Sequence, residues 1–594
     1  MNDHINKKAK YIRNIAVIAH VDHGKTTLID TLFKTRDQFK VTERTMDRND
    51  LERERGITIL AKCTSIEWEK NGEKYLINIV DTPGHADFGS EVQRGLKLVD
   101  GILILVDASE GVMNQTKFVI QEALKLRPKL KPIIVVNKID REFAKPQWAA
   151  EEVLDLIFEN DPEAVDCPIF YGSGKEGYIS RTIGNKENFG ILLDEIIEIV
   201  PAPTINDEQK LQMCVCMVDY DQFFGAVLIG KVFGGTLEVG KMVSSINQDG
   251  QLVESFRINK MFRYLGPNRE EINNAVAGQI VGVAGVKQTT VNDTLINQDT
   301  KKEEYKFLVI EAPAIEPATM CVFISPNTSP LAGKEGTKLT LRQIGDRLLQ
   351  ENKINVGITV EAGENGYNLY CRGELQISIL VEQMRREGFE LTISAPKILL
   401  KNGKEPLESV VIDTSQAKSN TVIQNLTKRG GELKEIKDMN HGVRMIFNIT
   451  TRNLMGYRTE FNMDTEGDGT MTSSIIDFVT VVHREMQRKG LLISMASGST
   501  TAYSLDKLAS RGIFFVGPQV EVYQGMIIGE SNTDKDLEIN PVKKKEVTNM
   551  RASGNDAAIF LAPPKKMSLE QCISNIREDA CIEVTISSIR MRIK

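Results

Sequence analysis

The stretch Ala19-His20-Val21-Asp22-His23-Gly24-Lys25-Thr26-Thr27 lies between an apolar run and a helix-like segment. It fits the phosphate-binding pattern of a small residue, four spacers and then Gly-Lys-Ser/Thr. Gly24 lets the backbone approach a phosphate closely, and successive amides with the following helix N-terminus form a concave anion site. Lys25 can bridge the β- and γ-phosphates, and the Thr26 hydroxyl can bind Mg²⁺. The predicted nucleotide-binding residues of this stretch are Asp22, His23, Gly24, Lys25, Thr26 and Thr27.

A second motif, Asp81-Thr82-Pro83-Gly84-His85, follows another apolar strand. The Asp81 carboxylate is predicted to hold Mg²⁺ through water, and the Gly84 amide to sense the γ-phosphate. The charged stretch Arg53-Glu54-Arg55-Gly56-Ile57-Thr58 has no strand or helix pattern. We expect it to become ordered when Thr58 reaches Mg²⁺, as in an order–disorder switch driven by one phosphate. Thr26, Thr58 and Asp81 are therefore the predicted metal ligands.

A third motif, Asn137-Lys138-Ile139-Asp140, ends a further buried strand. Asn137 and Asp140 can read guanine, because the Asp140 carboxylate accepts from the ring N1–H and the exocyclic amine, which adenine cannot supply. A buried carboxylate left unpaired by the wrong base is costly, so the preference should be strong. Ser173-Gly174-Lys175 follows the last strand and would close over the base. The three motifs in order on one chain predict a GTPase that uses GTP/GDP and Mg²⁺.

His85 is the candidate for the chemistry. It lies next to the γ-phosphate sensor, where other GTPases place the group that orients the attacking water. Phosphoryl transfer needs positioning and charge neutralisation more than a strong base, so a doubly protonated His85 could also act electrostatically. The sequence leaves the protonation state of His85 open.

Length and composition set the class of protein. At 594 residues, with 41% hydrophobic and 26% charged residues, the chain is an ordinary globular protein of several domains. No apolar run approaches the roughly 20 residues that span a bilayer, and the polar lead-in has no secretory signal. We expect a cytoplasmic monomer without membrane contact. The eight cysteines form no C-x-x-C pair and are interpreted as buried, reduced thiols.

The order of apolar patterns predicts the domains. Strands alternate with helices to about Pro203, which indicates a doubly wound α/β domain whose ligands bind at the carboxyl ends of the strands. Short strands with glycine turns then predict a β-barrel. Two split βαββαβ units follow, and the remainder is mixed. The predicted fold class is thus multidomain α/β and β: a P-loop GTPase domain (1–203), a β-barrel (204–302), two ferredoxin-like α+β domains (303–395 and 396–473) and a mixed C-terminal domain (474–594).

Three of these motifs resemble those of the translational GTPases. They are Asp-His-Gly-Lys-Thr-Thr, Arg-Gly-Ile-Thr and Asp-Thr-Pro-Gly-His. That resemblance implies that Val21 and Ile57 flank His85 as an apolar gate. It also implies that the ribosome triggers hydrolysis, when the sarcin–ricin loop of its 23S rRNA repositions the histidine.

Four further stretches resemble one particular family of translational GTPases, the BipA family, also called TypA. They are Asn49–Thr58, Asn327–Pro330, Met384–Glu390 and Thr548-Asn549-Met550-Arg551-Ala552-Ser553-Gly554. This family is similar to elongation factor G in its GTPase domain, barrel and two ferredoxin-like domains. The resemblance implies a factor of 50S subunit assembly under stress or cold that binds the 70S ribosome. Its C-terminal domain is expected to reach the peptidyl-transferase region and A-site tRNA.

The candidate RNA contact is local. Lys543-Lys544-Lys545 with Asn549 and Arg551 suits phosphate contact from a loop. Arg385, Arg386 and Lys428-Arg429 are weaker candidates. Two alternatives stay open: an elongation-cycle GTPase similar to LepA, and a GTP-switched RNA-binding module with little catalytic role. The sequence also leaves open whether guanosine tetraphosphate competes with GTP.

Overall fold

The structure is a computed structural model. It describes residues 9–20, 23–35, 51, 54, 61–83, 89–125, 129–164, 166–206, 210–221, 223–266, 268–313, 317–355, 357–439, 442–467, 469–481, 490–544 and 561–594. The chain divides into two compact units, which we call the first unit (Met1–Glu316 with Lys353–Val356) and the second unit (Pro317–Asn352 with Gly357–Lys594).

The first unit begins with a largely parallel sheet. Its strands are β1 (Ile12–Ala19), β2 (Lys62–Lys70), β3 (Glu73–Asp81), β4 (Gly101–Asp107), β5 (Lys131–Asn137), β6 (Ile169–Ser173) and β7 (Tyr178–Ser180). They lie in the order β2–β3–β1–β4–β5–β6–β7. The five strands in the middle of the sheet, β3, β1, β4, β5 and β6, are parallel. Strands β2 and β7 pair antiparallel at the two edges. The parallel strands are predicted by the apolar runs Asn14–Ala19, Tyr75–Val80, Ile102–Val106, Ile133–Val136 and Pro168–Tyr171, whereas the two edge strands were not predicted.

Helices cover both faces of this sheet. They are α1 (Lys25–Lys34), α2 (Gly89–Lys97), α3 (Asn114–Lys125), α4 (Pro146–Asn160) and α5 (Gly190–Ile199), with a 3₁₀ turn at Pro162–Ala164. All of β1 is buried. Ala16 and Ile18 belong to one core cluster, and Ile15 and Val17 to another. Because successive residues of a strand point to opposite faces, these two clusters are the two layers of a doubly wound domain.

The carboxyl ends of the parallel strands carry the motifs. The phosphate-binding stretch follows β1, and Asp81, Asn137 and Ser173 are the last residues of β3, β5 and β6. Parallel strands end at one edge of their sheet, which is where ligands bind in such folds. The fold therefore brings motifs from distant parts of the sequence to one place.

The rest of the first unit is mostly β-structure. Its strands are β8 (Gln212–Asp221), β9 (Gly225–Gly234), β10 (Thr236–Glu238), β11 (Met242–Ile246), β12 (Leu252–Arg257), β13 (Lys260–Leu265), β14 (Asn268–Ile272), β15 (Asn274–Val276), β16 (Ile280–Ala284) and β17 (Thr294–Asn297), followed by a 3₁₀ turn (Lys302–Glu304) and α6 (Tyr305–Leu308). The antiparallel order is β12–β11–β17–β8–β9–β16–β13–β14, with β10 paired to β15. Leu237–Val243, which we expected to be one strand, is two, because Gly240 turns the chain with a φ of 86°.

A buried ion pair joins the parallel sheet of the first unit to its large antiparallel sheet. Lys231 Nζ of β9 lies 2.8 Å from Asp100 Oδ1, and the Lys231 side chain is only 3% exposed. Asn14 Nδ2 donates to Asp100 Oδ2 at 2.9 Å and to the Gly278 carbonyl at 3.2 Å. Desolvation offsets much of the attraction in such a pair, so it defines the junction geometry more than it adds stability.

The second unit opens with a βαββαβ order. Its elements are β18 (Met320–Pro326), α7 (Leu341–Ile354), β19 (Thr359–Gly363), β20 (Gly366–Cys371), α8 (Glu374–Arg386), β21 (Leu391–Ser394) and the short β22 (Lys397–Ile398). The strands lie in the order β19–β20–β18–β21, with β22 also paired to β18. Helix α8 ends before Gly388, whose φ is 93°.

A second set of elements repeats this order. It comprises β23 (Lys404–Thr414), α9 (Gln416–Lys428), β24 (Glu432–Met439), β25 (Gly442–Thr450), α10 (Thr451–Leu454), α11 (Tyr457–Asp464) and β26 (Gly469–Thr480). The strand order is β24–β25–β23–β26. Strand β26 pairs with β23 from Gly469 to Thr480. It therefore crosses residue 473, where the sequence analysis placed a domain boundary.

The C-terminal elements extend the first sheet of the second unit. They are β27 (Leu491–Ser494), β28 (Gly498–Ser499), α12 (Ala502–Leu508), a 3₁₀ turn (Ala509–Arg511), β29 (Gly512–Phe514), β30 (Glu521–Val522), β31 (Met526–Ser531), β32 (Leu537–Ile539), α13 (Leu569–Asn575), β33 (Ala580–Val584) and β34 (Ile589–Ile593). Strand β33 pairs with β21, so the sheet continues as β33–β34–β31–β27–β32. The segments predicted as separate domains at 303–395 and 474–594 thus share one sheet and one core cluster.

No helix in the described part of the chain combines the length and the apolar character that crossing a membrane requires.

Candidate nucleotide-binding site

Gly24 shapes the phosphate-binding turn. Its φ is 94°, and a Cβ added there would meet Asn137 Nδ2 at 2.5 Å. Both the backbone conformation and the space exclude a side chain. Leu28 N–H donates to the Gly24 carbonyl at 2.8 Å, which starts α1 immediately after the turn. The first amides of an α-helix have no partner within the helix itself, so this helix start is a suitable place for an anion.

Asn137 joins three separate loops. Its Nδ2 donates to the His23 carbonyl at 2.8 Å, and its Oδ1 accepts from Gly174 N–H at 2.9 Å. The Asn137 residue is 3% exposed. Thr31 of α1 also donates to the Gly174 carbonyl at 3.0 Å. One buried amide therefore fixes the phosphate-binding turn, the Asn137–Asp140 motif and the Ser173–Lys175 loop relative to each other.

The structure gives Asn137 backbone partners in addition to the base-reading role that the sequence predicts. Its amide bonds to the backbone of two neighbouring loops, and its reading of guanine beside Asp140 stays a prediction. Asp140 is exposed rather than buried. The cost of leaving the Asp140 carboxylate unpaired therefore arises only when a base covers it and removes its water.

Gly174 and Lys175 complete the loop that faces Asn137. A Cβ added at Gly174 would meet its nearest atoms at 3.6 Å, which is ordinary contact, so alanine would fit here. Ser173 and Gly174 are buried and Lys175 is exposed. Ile139 N–H donates to the Gly172 carbonyl at 3.3 Å, which ties this loop to the Asn137–Asp140 motif a second time.

Asp107, the last residue of β4, holds the Asn137–Asp140 motif in place through ion pairs. It is fully buried, and its Oδ2 lies 2.8 Å from Lys138 Nζ and 3.1 Å from Arg141 Nη1. Burial raises the pKa of Asp107, but hydrogen bonds from Lys138 and the Ser109 amide outweigh it and hold that pKa below its ordinary value. The sequence analysis missed Asp107, although a carboxylate that directly follows an apolar strand was the same signal that marked Asp81.

Asp81 has the environment of a cation ligand. Its residue is 2% exposed, and Lys25 Nζ lies 2.6 Å from its Oδ1. Lys25 also donates to the Thr82 carbonyl at 3.1 Å. The Asp81 carboxylate and the Thr26 hydroxyl at the start of α1 supply oxygen donors, which Mg²⁺ prefers, and Lys25 would leave Asp81 when the metal takes its place. The residues present therefore fit this metal.

His23 is buried beneath the phosphate-binding turn. Its Nδ1 accepts from Asp107 N–H at 3.3 Å, and its Nε2 lies 3.3 Å from Glu110 Oε2. Burial, with a smaller contribution from the neighbouring His20, lowers the pKa of His23 from 6.5 to about 4. The imidazole is therefore neutral at pH 7, and the site keeps a neutral ring rather than a cation next to Asp107.

We expect this buried imidazole to make the first unit sensitive to acid. The unfolded chain binds a proton at His23 near pH 6.5 and the folded chain only near pH 4. The stabilisation is complete above pH 6.5 and is lost as the pH falls toward 4, by at most about 3 kcal/mol. Trp68 and Trp148, the two tryptophans of the chain, both lie in the first unit and report its unfolding.

Urea unfolding followed by tryptophan fluorescence at pH 7 and pH 4.5 measures how much the free energy of unfolding falls on acidification. This fall should be smaller in His23→Gln than in the wild type. Equal falls in both proteins would contradict the prediction.

Several predicted residues lie outside the described part of the chain. They are Val21, Asp22, Ile57, Thr58, Gly84 and His85 of the nucleotide site, and Lys545, Asn549 and Arg551 of the RNA candidate. Lys543 and Lys544 are described and exposed. The weaker candidates Arg385 and Arg386 both pair with Glu382, at 2.7 and 3.0 Å, so this single carboxylate compensates one of their two positive charges.

Three family models match the parts already described. Residues 10–202 match the elongation factor Tu GTP binding domain, residues 210–298 match elongation factor G domain 2, and residues 403–489 match the elongation factor G C-terminus. Together, the doubly wound domain, the phosphate-binding turn and these matches define a GTP-binding protein of the elongation-factor class.

The C-terminal region and whole-chain relatives give the family. Residues 489–594 match the TypA/BipA C-terminal domain. The chain is 42% identical to the large ribosomal subunit assembly factor BipA of Bacillus subtilis, over 98% of this chain and 96% of the relative. It is 40% identical to the protein of the same name from Salmonella typhimurium, with the same coverage. The chain belongs to the TypA/BipA family.

Proposed function

We propose that this protein binds GTP with Mg²⁺ and hydrolyses it on the ribosome, and that it thereby assists assembly of the 50S subunit. The observation that carries the GTP-binding part is the Asn137 bridge, because it holds the phosphate-binding turn and the base-side loop in one rigid arrangement. The assembly role is supported by relatives at 40–42% identity that are named large ribosomal subunit assembly factor BipA.

Different residues are proposed to bind the phosphates, the base and the metal. The backbone amides from Gly24 to Thr27 receive the phosphates, and Lys25 neutralises their charge. Asp140 accepts hydrogen bonds from guanine, and Ser173 to Lys175 close over the base. When bound, Mg²⁺ neutralises phosphate charge that develops during transfer, and Thr26, Thr58 and Asp81 would hold it. Lys25 pairs with Asp81 in the structure, so we infer that Lys25 exchanges this carboxylate for phosphate on binding GTP.

His85 is proposed to orient the attacking water, with Val21 and Ile57 as an apolar gate that admits it. The imidazole need not be a strong base, because positioning and electrostatics dominate phosphoryl transfer. The ribosome, through the sarcin–ricin loop of its 23S rRNA, would bring His85 into position. This mechanism makes stimulation by the ribosome depend on one side chain.

We expect His85→Ala to lower ribosome-stimulated GTP turnover by about two orders of magnitude, which is typical of losing one group that stabilises a transition state. The affinity for GTP should change little, because His85 is not proposed to bind the nucleotide in the ground state. The measurements are phosphate release with and without 70S ribosomes, and calorimetric binding of a non-hydrolysable GTP analogue.

The same variant separates the rival functions. Unchanged ribosome-dependent turnover in His85→Ala would reject the catalytic role. Lost turnover with normal 50S assembly in cold-grown cells, judged by sedimentation of ribosomal particles, would instead favour a GTP-switched RNA-binding module. Accumulation of 50S precursors together with lost turnover supports the proposal in full.

The C-terminal domain is proposed to supply the RNA contact. Lys543 and Lys544 are exposed, and together with Lys545, Asn549 and Arg551, which follow in the sequence, they are proposed to contact phosphate in the peptidyl-transferase region or on A-site tRNA. We infer that the protein works as a cytoplasmic monomer with a GTPase domain, a barrel and two ferredoxin-like units, the first of which shares its sheet with the C-terminal elements. Competition by guanosine tetraphosphate at the nucleotide site is part of the same proposal for stress and cold.

A further inference from the structure

We propose that Cys214 and Cys216 form a redox site, in which a hydroperoxide oxidises the two thiols to a disulfide within strand β8. The site lies in the barrel part of the first unit and is separate from the nucleotide-binding residues. It would make the protein responsive to peroxide as well as to GTP.

The two sulfur atoms are already close. Cys216 Sγ lies 4.0 Å from Cys214 Sγ, and both residues are buried. In a regular strand, residues two apart have Cα atoms about 6.7 Å apart, at the upper limit for a disulfide. A disulfide here therefore needs a strand that departs from regular geometry.

Strand β8 has such a departure at this dipeptide. Val215 pairs with Gly230 of β9 and Met217 pairs with Ile229, so Cys216 is the extra residue of a β-bulge. Gly230 makes the bulge possible, because a Cβ added there would collide with the Cys214 carbonyl oxygen. Bulges bend a strand and redirect its side chains. The glycine and the bulge together bring the thiols within reach of each other.

The two thiols are not equivalent. The Cys216 thiol donates toward Cys214 Sγ, which lowers the pKa of Cys214, and the Lys97 ammonium adds to this effect. The same hydrogen-bonded pair and burial raise the pKa of Cys216. Thiolate is the reactive form, so Cys214 is the expected nucleophile and Cys216 the resolving thiol.

The reaction balances with a hydroperoxide as the oxidant. Cys214 thiolate attacks one peroxide oxygen, the O–O bond breaks, and an alcohol or water leaves after protonation, which gives a sulfenic acid. Cys216 then attacks the Cys214 sulfur, the S–O bond breaks, and water leaves as the disulfide forms. Two thiols lose two electrons and two protons, and the peroxide is reduced.

Access to the thiols requires a local movement. Helix α2 packs on β8, and its Val92 and Leu96 belong to the same buried cluster as Cys214 and Cys216. Peroxide can reach the pair only when this packing opens transiently. We therefore expect Val92→Ala, which loosens the contact, to speed oxidation several-fold without changing the product.

Peptide mass spectrometry of the full chain tests the proposal. Trypsin releases the peptide from Leu211 to Lys231, which contains Cys214 and Cys216 and no other cysteine. After hydrogen peroxide and then iodoacetamide, this peptide should lose two hydrogens and take up no alkyl group, and dithiothreitol should restore both alkylation sites. In Cys216→Ser, the Cys214 sulfur should stop at the sulfenic or sulfinic acid.

Two residues of the first unit are internal controls. Cys63 is a buried single thiol whose pKa burial raises to about 12, so it should remain alkylatable after unfolding. Met242 is partly exposed, and its conversion to the sulfoxide reports the peroxide dose.

The proposal is wrong if both thiols stay reduced at doses that oxidise Met242, if their oxidation requires urea, or if either thiol pairs with another cysteine. The mass readout uses neither GTP nor ribosomes, so its failure would leave the proposed function unaffected. If Cys216→Ser does not fold, the wild-type peptide alone decides.

Discussion

Replacing Asp140 by asparagine should reverse the base preference of the nucleotide site. The carboxylate is proposed to accept from guanine N1–H and the exocyclic amine, whereas an asparagine amide can donate to the 2-oxo group of xanthine. Sites built around such hydrogen bonds reject the mismatched partner by about 10⁴-fold. We expect the ratio of GTP to xanthosine triphosphate affinity to fall by roughly that factor, measured by calorimetry with Mg²⁺.

Asp155 provides the matched control. It is exposed on α4 in the same domain, and Asp155→Asn makes the same chemical change away from the site. Its nucleotide affinities should equal those of the wild type. If Asp140→Asn kept its preference for GTP, Asp140 would not be the base-reading residue, and the assignment of the site to guanine would lose its main support.

Asn137→Ala should have the second large effect, on both stability and binding. The substitution leaves the His23 carbonyl and the Gly174 N–H without their partner in a buried place. Each such group costs about 1–3 kcal/mol, so the free energy of unfolding of the first unit should fall by about 2–6 kcal/mol. GTP affinity should fall by roughly 10²-fold, because the turn and the loop lose their common support.

Asn185 is the comparison for this variant. Its Nδ2 donates to Thr182 Oγ1 at 2.8 Å on the exposed surface of the same domain. Asn185→Ala should cost less than about 1 kcal/mol and leave GTP affinity intact. Tryptophan fluorescence during urea unfolding gives the stability, and calorimetry gives the affinity. A stable Asn137→Ala protein with normal GTP binding would show that the three loops do not depend on the bridge.

The phosphate-binding turn could be predicted because it depends on one short stretch of sequence. Gly24 needs a conformation that only glycine adopts easily, and Lys25 and Thr26 follow it at fixed spacing, so a local pattern was sufficient. Asp107 and His23 were not assigned their roles, because a buried ion pair and a buried neutral imidazole depend on partners far away in the sequence. The same holds for Asn137, whose residue type suggested base reading while its partners are backbone groups of two other loops.

The sequence predicted many of the strands and helices, but it predicted the domain boundaries less well. The central strands of the first sheet are continuous apolar runs, which predict a parallel sheet directly. The edge strand β2 mixes polar and apolar residues and was missed. Strand β26 was cut at residue 473, because its pairing with β23 is set by residues about 60 positions earlier in the chain.

By itself the sequence determined the GTPase class and the family, since these depend on residue type and on spacing within short segments. Only the tertiary structure decided that Asn137 is a bridge, that Cys216 sits on a bulge facing Cys214, and that β33 pairs with β21 to merge two predicted domains into one sheet. The reason is physical. Strand pairing and buried hydrogen bonds join groups that are distant along the chain, and no local pattern specifies which partner will be nearest.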